Sequence, residues 1–373
     1  MRWLFWGASA LIAYTYLGYG VWLWLRTRWH FQPVKSASCT PFISIVMVVH
    51  NEAAVVEGKL RNLMDLNYPD DLCEIVVASD GSSDGTNVIL SEYAKIPRVR
   101  VILTPFSRGK AAGLNDAIEV ARGEIIVFTD ARQRIERDAV QLLVENFADS
   151  SVGAASGELM LGDSASGESA KGMVQYWRME KKIRELESAS GSVIGATGAF
   201  YAVRRNLLLP IPGETILDDV YIPMNVVRQG ARVVFDPRAR AWDTPDLGAG
   251  REFARKVRTL SGNYQLVRLA PWLLSRENPV RFRFVSHKLL RLAAPFALVA
   301  VLVSSWMLRE PIYRVALGLQ LAFYTLSVLA VAQLKRGPVA RIADAAFTFV
   351  VLNTAAVVAF ANFVTGRKTV WSR

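Results

Sequence analysis

The sequence predicts an α/β domain with a mostly parallel sheet, set between membrane-spanning helices at its N- and C-terminal ends. Three observations predict it. Apolar, β-branched runs alternate with helical stretches between residues 41 and 262. Long, nearly uncharged segments occupy both ends of the 373-residue chain. The mean hydropathy is +0.22, which a single soluble domain seldom reaches, so the 52% of apolar residues must be concentrated somewhere.

Trp3 to Leu25 carries almost no charge and matches the roughly 20 residues that cross ~30 Å of hydrocarbon. Aromatic residues sit near both of its ends, and Arg26, Arg28 and Lys35 follow. A cleaved signal peptide is the competing reading. It calls for a more basic start, a shorter apolar core and a small-residue cleavage site, so residues 1–28 are read as a retained helix. Three more spans are expected at Leu289–Leu308, Tyr313–Leu334 and Ile342–Val364. Residues 263–288 mix Trp272, Phe282 and Phe284 with several arginines and contain Pro271 and Pro279, which suggests a segment lying on the membrane surface; a plain linker is the alternative.

The net charge of +11 fits either nucleic acid or a membrane with basic flanks. Zinc-finger spacing, a helix-turn-helix pattern and an RNA-binding consensus are all absent, so nucleic acid is not an expected partner. The basic block Arg276, Arg281, Arg283, Lys288 and Arg291, with the loop of Lys335, Arg336 and Arg341, is expected to place the central domain on the cytoplasmic side of the membrane. The tail Arg367, Lys368 and Arg373 runs against that topology for the last segment. Cys39 and Cys73 lack metal-ligand spacing and are read as reduced thiols.

Within residues 41–262, strands are expected at Ile43–Val49, Glu74–Ala78, Val99–Leu103 and Glu124–Phe128. Helices are expected at Ala53–Leu66, Thr86–Ala94 and Ala111–Ala121. Such alternation gives a mostly parallel sheet with right-handed crossovers. Polar residues follow each strand: His50-Asn51-Glu52, Asp80 to Thr86, Ser107 to Lys110, and Thr129 to Gln133. Ligands of open α/β sheets bind outside the carboxyl ends of the strands, where these loops converge.

Asp80-Gly81-Ser82-Ser83-Asp84-Gly85-Thr86 couples two carboxylates to small residues that allow a ligand close to the backbone. Asp80 and Asp84 suit a base, a ribose or a cation; an acidic capping turn at the next helix is the other reading. No GKS/GKT phosphate loop and no GxGxxG precede a helix, so nucleotide binding would be of another kind.

These residues together resemble family-2 glycosyltransferases. The resemblance begins at Val49-His50-Asn51-Glu52 and is clearest in the Asp80–Thr86 segment. It continues through Arg108-Gly109-Lys110 to Asn115, Phe128-Thr129-Asp130-Ala131-Arg132 and Leu217-Asp218-Asp219, and ends at Arg255-Lys256-Val257-Arg258-Thr259. The C-terminal spans further resemble the processive synthases of cellulose, chitin, hyaluronan and poly-N-acetylglucosamine. The resemblance implies a GT-A fold and an inverting transfer from a nucleoside diphosphate sugar, commonly a UDP-sugar. It also implies Val49, Asn51, Glu52, Asp80, Asp84, Lys110, Asp130, Arg132, Arg255 and Arg258 around the donor. Asp130 is then the metal-binding carboxylate of the DxD motif, with Mg²⁺ or Mn²⁺ as cofactor.

Two motifs depart from the family pattern. Arg132 stands where the second DxD carboxylate belongs, and it could take over part of the cation's role. In the QxxRW motif Arg255 replaces Gln and Thr259 replaces Trp, which removes a stacking surface under an acceptor sugar. Arg255, Lys256 and Arg258 also suit lipid headgroups.

Asp219 is the expected general base, because an acceptor hydroxyl must lose its proton as it attacks the anomeric carbon. Asp218 beside it raises its pKa by like-charge repulsion, or else caps the following helix. Gly198 and Ala199, in a run of small residues, would admit an acceptor, together with Asp218. Trp177 and Trp242 suit either sugar stacking or the core.

The sequence therefore points to sugar transfer onto a glycan or lipid-linked acceptor at a membrane. Four spans are few to enclose a polymer channel, so the processive reading implies a homo-oligomer or an export partner. The rivals are transfer of one sugar to a polyprenyl phosphate and a catalytically idle nucleotide-binding scaffold.

Overall fold

The apolar runs expected as strands pair side by side in one sheet. The computed structural model describes residues 1–163, 168–169, 174–243, 249–331 and 338–367. The strands are β1 (Ile43–Val49), β2 (Cys73–Asp80), β3 (Val99–Thr104), β4 (Ile125–Thr129), β5 (Arg134–Ile135), β6 (Val152–Asp163), β7 (Glu168–Ser169), β8 (Phe200–Arg204) and β9 (Arg232–Asp243). The helices are α1 (Arg2–Ala13), α2 (Tyr19–Trp29), α3 (Val56–Met64), α4 (Thr86–Tyr93), α5 (Lys110–Val120), α6 (Ala139–Val144), α7 (Val174–Ala189), α8 (Asp218–Arg228), α9 (Ala249–Leu269), α10 (Arg281–Phe284), α11 (Leu290–Met307), α12 (Pro311–Val331) and α13 (Pro338–Val364).

The strand order is β3-β2-β1-β4-β8-β6-β9-β5, with β7 pairing with β6. The first four strands are parallel, and β8 then enters antiparallel to both β4 and β6. All seven residues of β1 are buried, as a strand covered on both faces requires. Ile43, Ile45 and Met47 face Leu60 and Leu63 of α3 and Leu143 of α6, whereas Val46 and Val48 face Leu114 and Ala117 of α5 and Ile222 of α8. Each such aliphatic side chain contributes roughly 1.5–3 kcal/mol relative to exposure. Register pairs Val49 with Ser79 and Asp80 with Thr104, so the strands' carboxyl ends share one edge. That edge carries the polar loops.

Helix α1 continues through a π turn at Tyr14–Gly18 into α2, giving one helix from Arg2 to Trp29. Among the described residues three helices are long and apolar enough to cross a membrane by length and composition: Arg281–Met307, Pro311–Ala330 and Ile342–Val364. The N-terminal helix is not one of them. Much of its apolar surface is Trp and Tyr, side chains suited to the headgroup level. It packs against α11, and Phe5 is set edge-on to Tyr313 at the start of α12, with ring centroids 4.8 Å apart.

The first C-terminal helix starts earlier than the hydropathy suggests, at Arg281 rather than Leu289. Arg283 and His287 in its opening turns are buried against the α/β domain. The side chain of Trp177, Lys335, Arg336, the side chain of Arg341, Lys368 and Arg373 lie outside the described residues.

Candidate functional site

Asn51 closes the turn after β1 with φ of 55°, the one non-glycine positive φ among the described residues. Asparagine tolerates that conformation better than most side chains. Its Oδ1 accepts from the backbone N–H of Ser83 (2.8 Å) and Asp84 (3.3 Å), while its own N–H donates to Ser82 Oγ (3.0 Å). The first polar loop is thereby fastened to the second. The N–H groups of Glu52 and Ala53 donate to Thr86 Oγ1 (2.9 Å) and Asp84 Oδ2 (3.1 Å), which delays α3 until Val56 instead of Ala53.

Asp84 also accepts from the Thr86 N–H at 2.9 Å. Its carboxylate thereby ties the turn to the first residue of α4, while the N-cap position itself is Gly85, without a side-chain cap bond. Asp80 is buried and accepts from Arg108 N (2.7 Å), Gly109 N (2.9 Å) and Ser107 Oγ (2.7 Å). Three of its roughly four lone-pair positions hold the third loop in place. Gly81, with φ of 65°, packs so closely that a Cβ would lie 2.2 Å from Ser107 N.

Lys110, at the start of α5, joins the two halves of the site. Its ammonium donates to Asp130 Oδ1 (3.0 Å) and lies 3.4 Å from Asp218 Oδ2. Burial works against its charge, but Asp130, Asp218 and Asp219 outweigh burial and hold its pKa above the ordinary lysine value. Arg132 turns to Glu52 instead, Nε to Oε1 at 3.4 Å.

Asp218 and Asp219 open α8, where the helix dipole favours negative charge. Leu217 stands at the N-cap position, so Asp218 is a first-turn residue facing Lys110 and not the cap. Burial, then the neighbouring Asp218, pushes the Asp219 carboxyl up to about 6, against the pull of Lys288 and Lys110. Gly198 makes room for this side chain: a Cβ there would lie 2.9 Å from Asp219 Oδ2. The carbonyl of Ala199 accepts from Thr129 Oγ1 at 3.1 Å, tying the small-residue run to the end of β4.

Arg255 lies 3.6 Å from Asp243 Oδ2. Arg258, one turn along α9, is half-buried and makes no hydrogen bond or ion pair among the described residues. Trp242 belongs to the core, where its indole N–H donates to Glu136 (2.7 Å).

Four residues of the site escaped the sequence reading. Lys59 is buried beneath the β4 loop and donates to Thr129 Oγ1 (2.8 Å) and the Gln133 carbonyl (2.6 Å); burial lowers its pKa to about 7 despite Asp130. A signal existed, since Lys59 interrupts the apolar stripe Val56, Leu60, Leu63 at helical spacing. Tyr201 is fully buried, stacks on Phe128 at 4.7 Å and leaves its hydroxyl without a hydrogen bond among the described residues. Burial, with Asp218, Asp219 and Asp130 nearby, pushes its pKa well above the usual value. Asp243 and Lys288 gave no local signal; their neighbours come from distant segments.

Among the described residues no cluster of three or more His, Cys, Asp or Glu side chains could hold a metal ion. The carboxylate of Asp130 is 40% exposed and one of its oxygens already faces Lys110. A hard cation that keeps its waters beside a substrate diphosphate needs only one or two protein carboxylates, and this donor set fits such a cation.

Residues 44–209 match Glycosyl transferase family 2. The chain carries a family-2 glycosyltransferase domain. Curated relatives of that domain include the poly-beta-1,6-N-acetyl-D-glucosamine synthase of Staphylococcus epidermidis, 25% identical over 229 residues, covering 60% of this chain and 55% of the relative. The same enzyme of Staphylococcus aureus strain COL is 23% identical over equal shares. The chain thus spans about half the length of these relatives. The glycosyltransferase domain and its flanking helices also share a fold with the mannosyltransferase PcManGT of Pyrobaculum calidifontis, solved in complex with GDP-Man and Mn²⁺. That likeness has a TM-score of 0.74 at 22% identity and covers 98% of this chain and 100% of the other. The architecture is GT-A.

Proposed function

We propose that the protein is a membrane-bound inverting glycosyltransferase that moves a sugar from a nucleoside diphosphate sugar to a growing polysaccharide at the cytoplasmic membrane face. The observation that carries this reading is Asp219, a carboxylate lifted to about 6 and given room by Gly198, beside the Lys110–Asp130 pair. A base poised near the working pH takes a proton efficiently.

In this reading the acceptor hydroxyl attacks the anomeric carbon. The new C–O bond forms on the face opposite the leaving group, and the proton passes to Asp219. The bond to the diphosphate breaks and its electron pair leaves with the nucleotide. Lys110 and Arg258 neutralise the diphosphate, while Asn51 and Asp80 hold the loops that enclose the donor. Arg132, engaged by Glu52, lines the same edge. Asp130 would hold Mg²⁺ or Mn²⁺, which supplies further charge neutralisation when bound. Asp218 and the run of Gly198 and Ala199 face the acceptor. Segments 1–28 and 263–288 are membrane-contacting, and residues 289–366 form three spans.

The donor is a UDP-sugar, as the family resemblance implies, or a GDP-sugar, as in the GDP-Man complex of the mannosyltransferase that shares the fold. A second reading, one sugar delivered to a polyprenyl phosphate, draws support from Thr259, which gives no stacking platform for a sliding polymer.

The deciding experiment follows nucleoside diphosphate release by the full-length protein in lipid nanodiscs. UDP- and GDP-sugars are supplied with polyprenyl phosphate or oligosaccharide acceptors, with and without Mn²⁺. Release from one donor is expected to drop at least 100-fold in Asp219→Asn with donor binding kept. Release that persists in Asp219→Asn removes the base. No release from any donor, with nucleotide still bound, supports the idle scaffold.

A further inference from the structure

The helix that leaves the domain for the membrane enters with two differently employed faces. Arg283, His287 and Arg291 recur every four residues on one face, which lies against α7. Arg283 Nη1 donates to the carbonyls of Glu187 (2.6 Å) and Ser192 (2.8 Å), and its Nη2 to that of Ser190 (2.6 Å). His287 is sandwiched between Glu187 (Nδ1, 2.9 Å) and Glu180 (Nε2, 3.2 Å), and Arg291 pairs with Glu180. Tyr19 of the N-terminal helix donates to the same Glu187 at 2.5 Å. Burial opposes both glutamates' charges, yet the cations around them hold both carboxyls below the ordinary value. A buried, hydrogen-bonded clasp of this kind fixes rotation as well as depth.

The second face points at α8. Phe284 is fully buried in an apolar cluster with Leu217, Val220 and Met224, the residues that flank and follow Asp218 and Asp219. Lys288 lies one turn beyond Phe284, in the widened π turn Val285–Leu289, and so follows it on the side facing α8. Such turns concentrate at functional positions. The 27-residue helix is about 40 Å long, more than the ~30 Å of hydrocarbon, which leaves its first turns free to meet the domain. The charged groups around Lys288 are Asp219, Arg184, Glu180 and Arg291. Those around Asp219 are Asp218, Lys288, Lys110 and Asp130, with the Tyr201 hydroxyl close by.

We infer that Lys288, carried on the membrane-entering helix and clamped there by the His287–Glu187–Glu180 clasp, is the positioning residue that sets the charge of the base Asp219. The base of the transferase is thus completed by the membrane helix, and undocking that helix would detune it. This inference rests on Asp219 being the base.

The test is the pH profile of kcat/KM for diphosphate release, measured on the full-length protein in nanodiscs with UDP-N-acetylglucosamine or GDP-mannose, whichever turns over. The wild-type acid limb is expected near pH 6. Removing the cation in Lys288→Met lets the carboxyl bind its proton more tightly, so the limb moves up by about one unit. Lys288→Arg is expected to bring it back. A Lys288→Met limb that coincides with the wild type overturns the inference. Should Lys288→Met show no turnover while still binding donor, activity regained in Lys288→Arg supports it and two silent variants overturn it. Turnover that survives in Asp219→Asn marks failure of the base reading instead.

Discussion

The two halves of the site are built differently. The donor half, at the ends of β1 to β4, is a set of short loops that fasten one another chiefly through hydrogen bonds from one loop's backbone to another loop's side chain. Asn51 holds Ser83 and Asp84, and Asp80 holds Ser107 to Gly109. The acceptor half brings together the run at Gly198, the start of α8 and the helix from Arg281, segments distant in the chain. Its carboxylates are buried close together, and opposing lysines limit their repulsion. A half built this way is rigid, with each loop resting on one anchoring side chain. A half built from opposed buried charges is tunable and depends on each member.

That contrast is most exposed at Lys110, whose ammonium meets Asp130 of the donor half and Asp218 of the acceptor half. Lys110→Met is expected to leave Asp130 and Asp218 unopposed, costing roughly 3 kcal/mol of stability and nearly all turnover. Thermal unfolding in nanodiscs at several pH values checks this. The lysine's pKa is raised in the fold, so its contribution is fully present below about pH 10 and is lost only as pH rises through the folded value. The loss in Lys110→Met should therefore be largest, on the order of the same few kcal/mol, from neutral pH up to about 9, and should shrink as pH falls through about 6, where Asp219 takes a proton and one carboxylate no longer needs opposing.

An intermediate effect is expected at Gly198. Its substitution by Ala puts a methyl group 2.9 Å from Asp219 Oδ2 and must displace the carboxylate. A drop of kcat by about tenfold or more with unchanged donor affinity would assign Gly198 to the acceptor half. An equal loss in donor binding would mean that the halves are not separable.

The smallest effect belongs to Arg132. Its pairing with Glu52 is half exposed, and such pairs contribute about 0–1 kcal/mol. Arg132→Ala should leave the unfolding midpoint within a degree or two, about the scale of such a pair, and alter only the Mn²⁺ concentration needed for half-maximal turnover. An unchanged metal requirement would show that Arg132 has no share in neutralising the diphosphate.

The same division governs what could be read in advance. The parallel half was legible: Ile43–Val49 is the expected strand residue for residue, and Thr86 opens the expected helix. These elements follow from β-branched runs and from polar residues that bond within a few positions or to the next loop. The bond from the Thr86 N–H to Asp84 and the earlier start of the membrane helix at Arg281 were not settled by pattern, because both depend on which partner a polar group finds. Lys59 marked itself by interrupting an apolar stripe, whereas Lys288 read as one more basic residue beside a membrane span.

The sequence alone determined the alternation of strands and helices, the edge on which the polar loops gather and the apolar helices after the domain, because each follows from local periodicity. Only the tertiary structure decided which charges oppose one another. The distances between Lys110, Asp130 and Asp218, and the docking of Phe284 against Leu217, Val220 and Met224, arise from packing of segments far apart in the chain, where burial strengthens charge interactions that sequence spacing does not reveal.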